Sequence, residues 1–230
     1  MRRCELFLLV VLASGPSAAA ETVLIEASRD ATLIENPDGA LANGSGPALF
    51  VGRTGQDENG TRRALLYFDV AGAVPRRAII ESAKLTVFMT PSNPEARTLR
   101  LHRVLADWGE GPSSSSGGGG AESEPGDVTW VHTFYDSDLW VHEGGQFVAR
   151  VSAELEVSGS DFYTWQSNRH VVQDVGLWKS APGRNFGWIL VGDETELQTA
   201  KSFASREHPD LTLRPVLEVS YRLPGDPGDR

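Results

Sequence analysis

The sequence predicts an all-β protein: a jelly-roll-like antiparallel β-sandwich with one short helix. Three observations lead there. Short runs of alternating apolar and polar residues recur along the chain, with Gly, Pro, Asn and Asp clustered between them. The last of these runs alternates strictly, with Leu213, Pro215, Leu217, Val219 and Tyr221 on one face and Thr212, Arg214, Val216, Glu218 and Ser220 on the other. Only one stretch of the chain carries a helical period.

Taken in order, residues 22–27 and 31–34 open the domain, and 48–53 follow the turn-rich string NPDGALANGSGP. Residues 62–70 place Ala64, Leu66, Phe68 and Val70 on one face, and 79–90 do the same with Ala83, Leu85, Val87 and Met89. Runs at 98–105 and 148–157 repeat the pattern. Between them, residues 111–126 (GPSSSSGGGGAESEPG) are of low complexity and read as a mobile loop. The helix is predicted over 168–178, where Val171, Val172, Val175 and Trp178 share a stripe and Asn168 is placed to cap the N-terminus. Around Trp188 the chain is apolar on both faces, a strand with no solvent side.

The first twenty residues stand apart. Arg2 and Arg3 precede the apolar run 6–13, and Ala18, Ala19 and Ala20 supply a cleavage site, the pattern of a secretory signal. The apolar run is too short to span a bilayer permanently. Cleavage near Ala20 leaves residues 21–223 as one sandwich domain and 224–230 as a flexible tail, in a secreted or extracytoplasmic protein. It also takes away Cys4, the only cysteine, which excludes thiol catalysis, iron–sulfur centres and cysteine-type zinc sites. The net charge moves from −10 to −11, because two arginines and one glutamate leave with the signal. Such a balance argues against nucleic acid and anionic membranes as partners and is compatible with glycans.

Six tryptophans invite a search for sugar-stacking faces. Trp178 and Trp188 read as core, and Trp108 and Trp130, on either side of the Ser/Gly loop, as caps of a sandwich edge. Trp140, Tyr163 and Trp165 lie in a loop-rich stretch beside Asp136, Asp138 and His142, so Trp140, Tyr163, Trp165, Asp138 and His142 form the expected ligand set. Asp30, Asp193 and Glu194 are the expected ligands of a structural calcium, although no DxDxDG loop is present. Arg206 and Glu207 read as strand neighbours on opposite faces, one of them buried and paired with Asp69 or Arg63. The sequons at Asn43 and Asn59 read as exposed turns. The five histidines show no HExxH or other metal-ligand spacing, and no GxSxG elbow or phosphate loop occurs.

Several short strings, in order, carry a family resemblance: Asp30-Ala31-Thr32, Leu49-Phe50-Val51-Gly52, residues 63–69 (RALLYFD), residues 80–87 (IESAKLTV), residues 107–111 (DWGEG), Val128-Thr129-Trp130, Ser205-Arg206-Glu207 and Arg214-Pro215-Val216-Leu217. Together they resemble the DNRLRE family, which is related to the disaggregatase repeat and to a family of carbohydrate-binding modules. The six-letter string that names the family is absent, with Ser205-Arg206-Glu207 its nearest equivalent, and residues 129–165 are longer than in compact members. The resemblance implies a secreted jelly-roll-like sandwich of the kind carried by extracellular bacterial proteins, some of which bind polysaccharide. The expected function is therefore non-catalytic binding of a polysaccharide or cell-surface glycan. A structural or adhesive surface module without sugar recognition is the alternative, and a polysaccharide hydrolase or lyase a third reading.

Overall fold

A computed structural model describes residues 20–224 of the chain; residues 1–19 and 225–230, which hold nearly all of the predicted signal and tail, lie outside it. The strands are β1 (Glu21–Glu26), β2 (Arg29–Ile34), β3 (Leu41–Ala42), β4 (Ala48–Arg53), β5 (Thr61–Tyr67), β6 (Ile79–Phe88), β7 (Arg97–Val104) and β8 (Ala121–Glu122). They continue as β9 (His132–Phe134), β10 (Asp138–Leu139), β11 (Phe147–Val157), β12 (Phe162–Trp165), β13 (Trp188–Val191), β14 (Lys201–Ala204) and β15 (Val216–Arg222). A single helical turn, α1 (Val70–Ala73), follows β5, and the 12-residue helix α2 (Arg169–Ser180) follows β12.

Every pairing is antiparallel. The smaller sheet runs β1-β15-β6-β12; the larger runs β11-β7-β13-β5-β4-β14, with β2 also hydrogen-bonded to β5. The last strand lies in the interior of the smaller sheet, between β1 and β6. It starts at Val216, later than the alternation suggests, because residues Leu211–Leu213 turn as a 3-10 helix with Asp210 at its N-cap.

Between the sheets lies the main core. Ala83, Leu85, Val87, Leu217 and Val219 of the smaller sheet meet Leu66, Leu99, Leu101, Trp188 and Leu190 of the larger. Helix α2 adds Val171, Val175 and Trp178, and the rings of Trp178 and Trp188 meet edge to face at 4.5 Å. The helix starts where predicted: Asn168 Oδ1 accepts from the amides of His170 and Val171, satisfying two donors of the first turn.

The larger sheet is buried on its other face as well. Ala31, Leu33, Leu65, Val104 and Ile189 point away from the main core into a second cluster with Trp108, Val128, Trp130 and Trp140. That is why the chain around Trp188 has no polar face: Trp188 and Leu190 serve one core and Ile189 the other. The covering layer is the excursion between β7 and β11. Arg63 braces it, stacking over Trp130 at 4.9 Å, donating to the Gly144 carbonyl at 2.6 Å and gripping Glu194 with two nitrogens.

Two expectations are corrected here. The Ser/Gly segment 111–126, expected to be a mobile loop, is pinned along its length. Its strand β8 pairs with β3, Ser113 O accepts from the amides of Gly44 and Ser45, and Asn43 Oδ1 accepts from the Ser115 amide. Arg62 Nε donates to Gly118 O, and the buried Asp127 accepts from the amides of Ser113 and Glu124. Asn43 itself is 1 % exposed, so its sequon is no exposed turn; the side chain is a splint for this segment. Its neighbour must be glycine, since a Cβ on Gly44 would lie 1.7 Å from the Glu110 carbonyl oxygen.

One buried carboxylate ties α2 to the larger sheet. Asp174, 2 % exposed, accepts from Trp188 Nε1 at 3.1 Å, from the Ser152 hydroxyl at 2.5 Å and from Arg150 at 3.0 Å, with Arg103 at 3.3 Å. Trp165 is equally buried, but its indole N–H has no partner. Trp188→Phe therefore removes a hydrogen bond to a charged group, a loss of about 1.5–3 kcal/mol beyond the change in packing. Trp165→Phe removes none. Urea unfolding of the two variants is expected to show the first clearly more destabilised than the second.

Candidate metal centre

Three carboxylates from distant parts of the chain converge beside the end of β14. Asp30 is the second residue of β2, opposite Leu66. Its neighbour Ala31 points into the outer cluster, so strand alternation turns Asp30 to the inner side, where it is fully buried. Glu110 comes from the excursion and is held by its surroundings. Trp108 is buried with its Nε1 donating to Phe186 O at 2.9 Å, and Gly109 bonds to Thr133 and Val128. Gly111 has φ +70°, and a Cβ there would come within 1.8 Å of Asp127 Oδ1.

Arg206 and Glu207 follow β14 in a turn. The buried Ser205 hydroxyl donates to Gly46 O at 2.7 Å and accepts from the Glu207 amide at 3.0 Å. The strand has ended, so the two side chains do not diverge. Arg206 Nη1 reaches Glu207 Oε1 at 2.6 Å and Glu110 Oε2 at 2.9 Å. The expected partners are corrected accordingly: Arg63 pairs with Glu194, and Asp69 caps α1 by accepting from the Gly72 amide.

One oxygen from each of Asp30, Glu110 and Glu207 lies within 4.8 Å of the other two. Asp30 Oδ2 accepts from the Arg206 amide at 2.7 Å, and Glu110 Oε1 accepts from the Asp30 amide at 2.8 Å. Asp30 Oδ1 and Glu207 Oε2 are buried without a hydrogen-bond partner. Burial is the main reason that Asp30 holds its proton well above the usual carboxylate range. The Arg206 amide opposes this, and the charges of Glu207 and Glu110 add to it. Burial raises Glu207 too, against the pull of Arg206. Burial works against the charge on Arg206, yet Glu110 and Glu207 outweigh it and raise its pKa.

The remaining sequence candidates are dispersed. Asp193 and Glu194 do not join Asp30. Asp193 accepts from the amide and hydroxyl of Thr195 and pairs with Arg97 at 3.2 Å, while both oxygens of Glu194 are taken by Arg63. The calcium set Asp30, Asp193 and Glu194 is thereby corrected, because two of its members are neutralised by arginine. Trp140, 6 % exposed, packs in the outer cluster with its Nε1 donating to Thr129 O, and Trp165, 1 % exposed, packs in the main core. The larger sheet separates them, and neither presents a ring face to a sugar. Tyr163 is half-buried, its hydroxyl accepting from the Ser158 amide and donating to Gly159 O. Asp138 and His142 are exposed. These five residues form no common surface.

Fold and site together define an antiparallel β-sandwich with a buried acidic centre at one end of its larger sheet. No protein-family model matches the chain, and no curated protein matches it. The residues of the centre had been visible as separate strings, Asp30-Ala31-Thr32, Trp108-Gly109-Glu110 and Ser205-Arg206-Glu207. Nothing in their spacing joins them.

The raised pKa of Asp30 has a signed consequence. The native state binds this proton more tightly than the unfolded chain, whose Asp titrates near 3.8. Stability is therefore full below that pH and is lost as pH rises toward the folded value. In buffer containing EDTA, Asp30→Asn is expected to gain stability relative to the parent as pH is raised from 4 to 7. Thermal unfolding across that range checks it; a difference independent of pH contradicts it.

Proposed function

We propose that the chain is a non-catalytic extracytoplasmic module with a structural or adhesive role at a surface, and that aromatic stacking on sugar is no part of it. The observation that carries this reading is the burial of all six tryptophans, none more than 9 % exposed. Sugar recognition by stacking needs an open indole or phenol face, and here the indoles are consumed by the two cores. The resemblance to the DNRLRE family and the signal-like N-terminus support an extracytoplasmic setting. Among the described residues no helix is long and apolar enough to cross a membrane.

Glycan binding remains the second reading, favoured by one feature. The edges of β11 and β12 leave an open cleft of about 600 Å³, lined by Val151, Ala153 and Leu155 together with Thr164, Gln166 and Asn168. This mixed aliphatic and polar lining matches the two kinds of surface on a polysaccharide chain without requiring an aromatic ring.

Two measurements separate these readings. Iodide is expected to quench the native tryptophan fluorescence far less than that of the unfolded chain. Retention of the purified protein on a panel of neutral and acidic polysaccharides, with and without calcium, is expected to be nil. Retention that disappears in Thr164→Ala/Gln166→Ala would instead establish the cleft as a glycan site.

A further inference from the structure

We propose that Asp30, Glu110 and Glu207 hold a hard divalent cation of the calcium class, which joins three segments of the chain. The first observation is the convergence itself, with one oxygen from each carboxylate within 4.8 Å of the others. The second is independent of it: Asp30 Oδ1 and Glu207 Oε2 are buried with no donor in reach. A carboxylate oxygen shut away from water without a partner is costly, and native proteins rarely leave one so. Three carboxylates face a single guanidinium, that of Arg206, which bonds Glu110 and Glu207 and leaves the two buried oxygens unsatisfied. A bridging water could supply hydrogen bonds but no charge. A divalent cation supplies both the missing partner and the missing charge.

The donors select the ion. All are oxygen, which disfavours zinc and copper, and they come from a buried strand, a long excursion and a turn. Such an irregular set suits calcium, with its six to eight ligands at about 2.3–2.6 Å, better than the strict octahedron of magnesium. Ligands on opposite sides of a calcium ion stand about 5 Å apart, the scale of this cluster. The side chains of Glu110 and Glu207 are 20 % and 23 % exposed, so the outer side of the centre is open to water that completes the coordination. The proposal is independent of the functional reading above, because a structural and a glycan-binding module are equally served by it.

The test begins with purified protein stripped by EDTA and titrated with calcium chloride by calorimetry. One calcium per chain is expected, with a melting temperature that climbs with calcium concentration. Terbium luminescence sensitised by tryptophan is expected to appear on addition of Tb³⁺ and to be displaced by calcium. Glu207→Gln, or Glu110→Gln if the first variant does not fold, is expected to weaken calcium binding at least tenfold. Glu194→Gln, which touches the Arg63 pair and not this centre, is expected to leave it unchanged. Absence of heat, of a melting shift and of terbium signal in the parent protein would overturn the proposal. So would calcium binding that persists undiminished in Glu207→Gln and Glu110→Gln.

Discussion

The larger sheet is apolar on both faces, and everything else follows from the need to cover it twice. Ala64, Leu66 and Trp188 on one side and Leu65 and Ile189 on the other leave no register in which β5 and β13 can show water a polar face. The smaller sheet and α2 cover the inner side. The outer side is not covered by a large sheet, and the excursion between β7 and β11 takes that place with three tryptophans carried on irregular chain and short strand pairs. The outcome is a three-layered molecule whose third layer has little regular structure of its own.

An irregular layer must be fixed by side chains, because it lacks a hydrogen-bonded ladder to fix it. Carboxylates, amides and arginines do this here. Asp127 and Asn43 bond the amides of the Ser/Gly segment, Arg62 reaches out of β5 to the Gly118 carbonyl and Arg63 to that of Gly144, and Glu110 bonds back to the Asp30 amide. The buried Lys201 does the same for the loop between β6 and β7, its ammonium donating to the Asn93 and Glu95 carbonyls, with burial lowering its pKa. Polar residues that resemble surface features in the sequence are thus the fasteners of a covering layer.

This explains what could and could not be read from the sequence. Period-two alternation located β5, β6, β7, β11 and β15, and the stripe Val171–Val175–Trp178 with Asn168 located α2, because each pattern is local and set by burial on one side. The both-faced strand at Trp188 is equally visible, but no local pattern points from it to the loop-rich stretch that covers its second face. Composition made residues 111–126 look mobile and Trp140 look exposed, since neither Asn43 nor Thr129 announces which backbone groups it will meet. The acidic centre was the least accessible. Asp30, Glu110 and Glu207 are brought together by three non-local pairings, and Arg206 was assigned partners by strand alternation that the turn after Ala204 cancels.

The place of β15 sets the order in which the molecule can be made. Glu21 pairs with Tyr221 and Ile25 with Leu217, so β1 waits for β15, and until then β6 has only β12 beside it. Until residue 222 has left the ribosome, the smaller sheet lacks its central member and the main core one of its walls. Contacts of such sequence separation make folding slow. A substitution in β15 is therefore felt at once in β1 and in β6, strands that are remote from it in sequence.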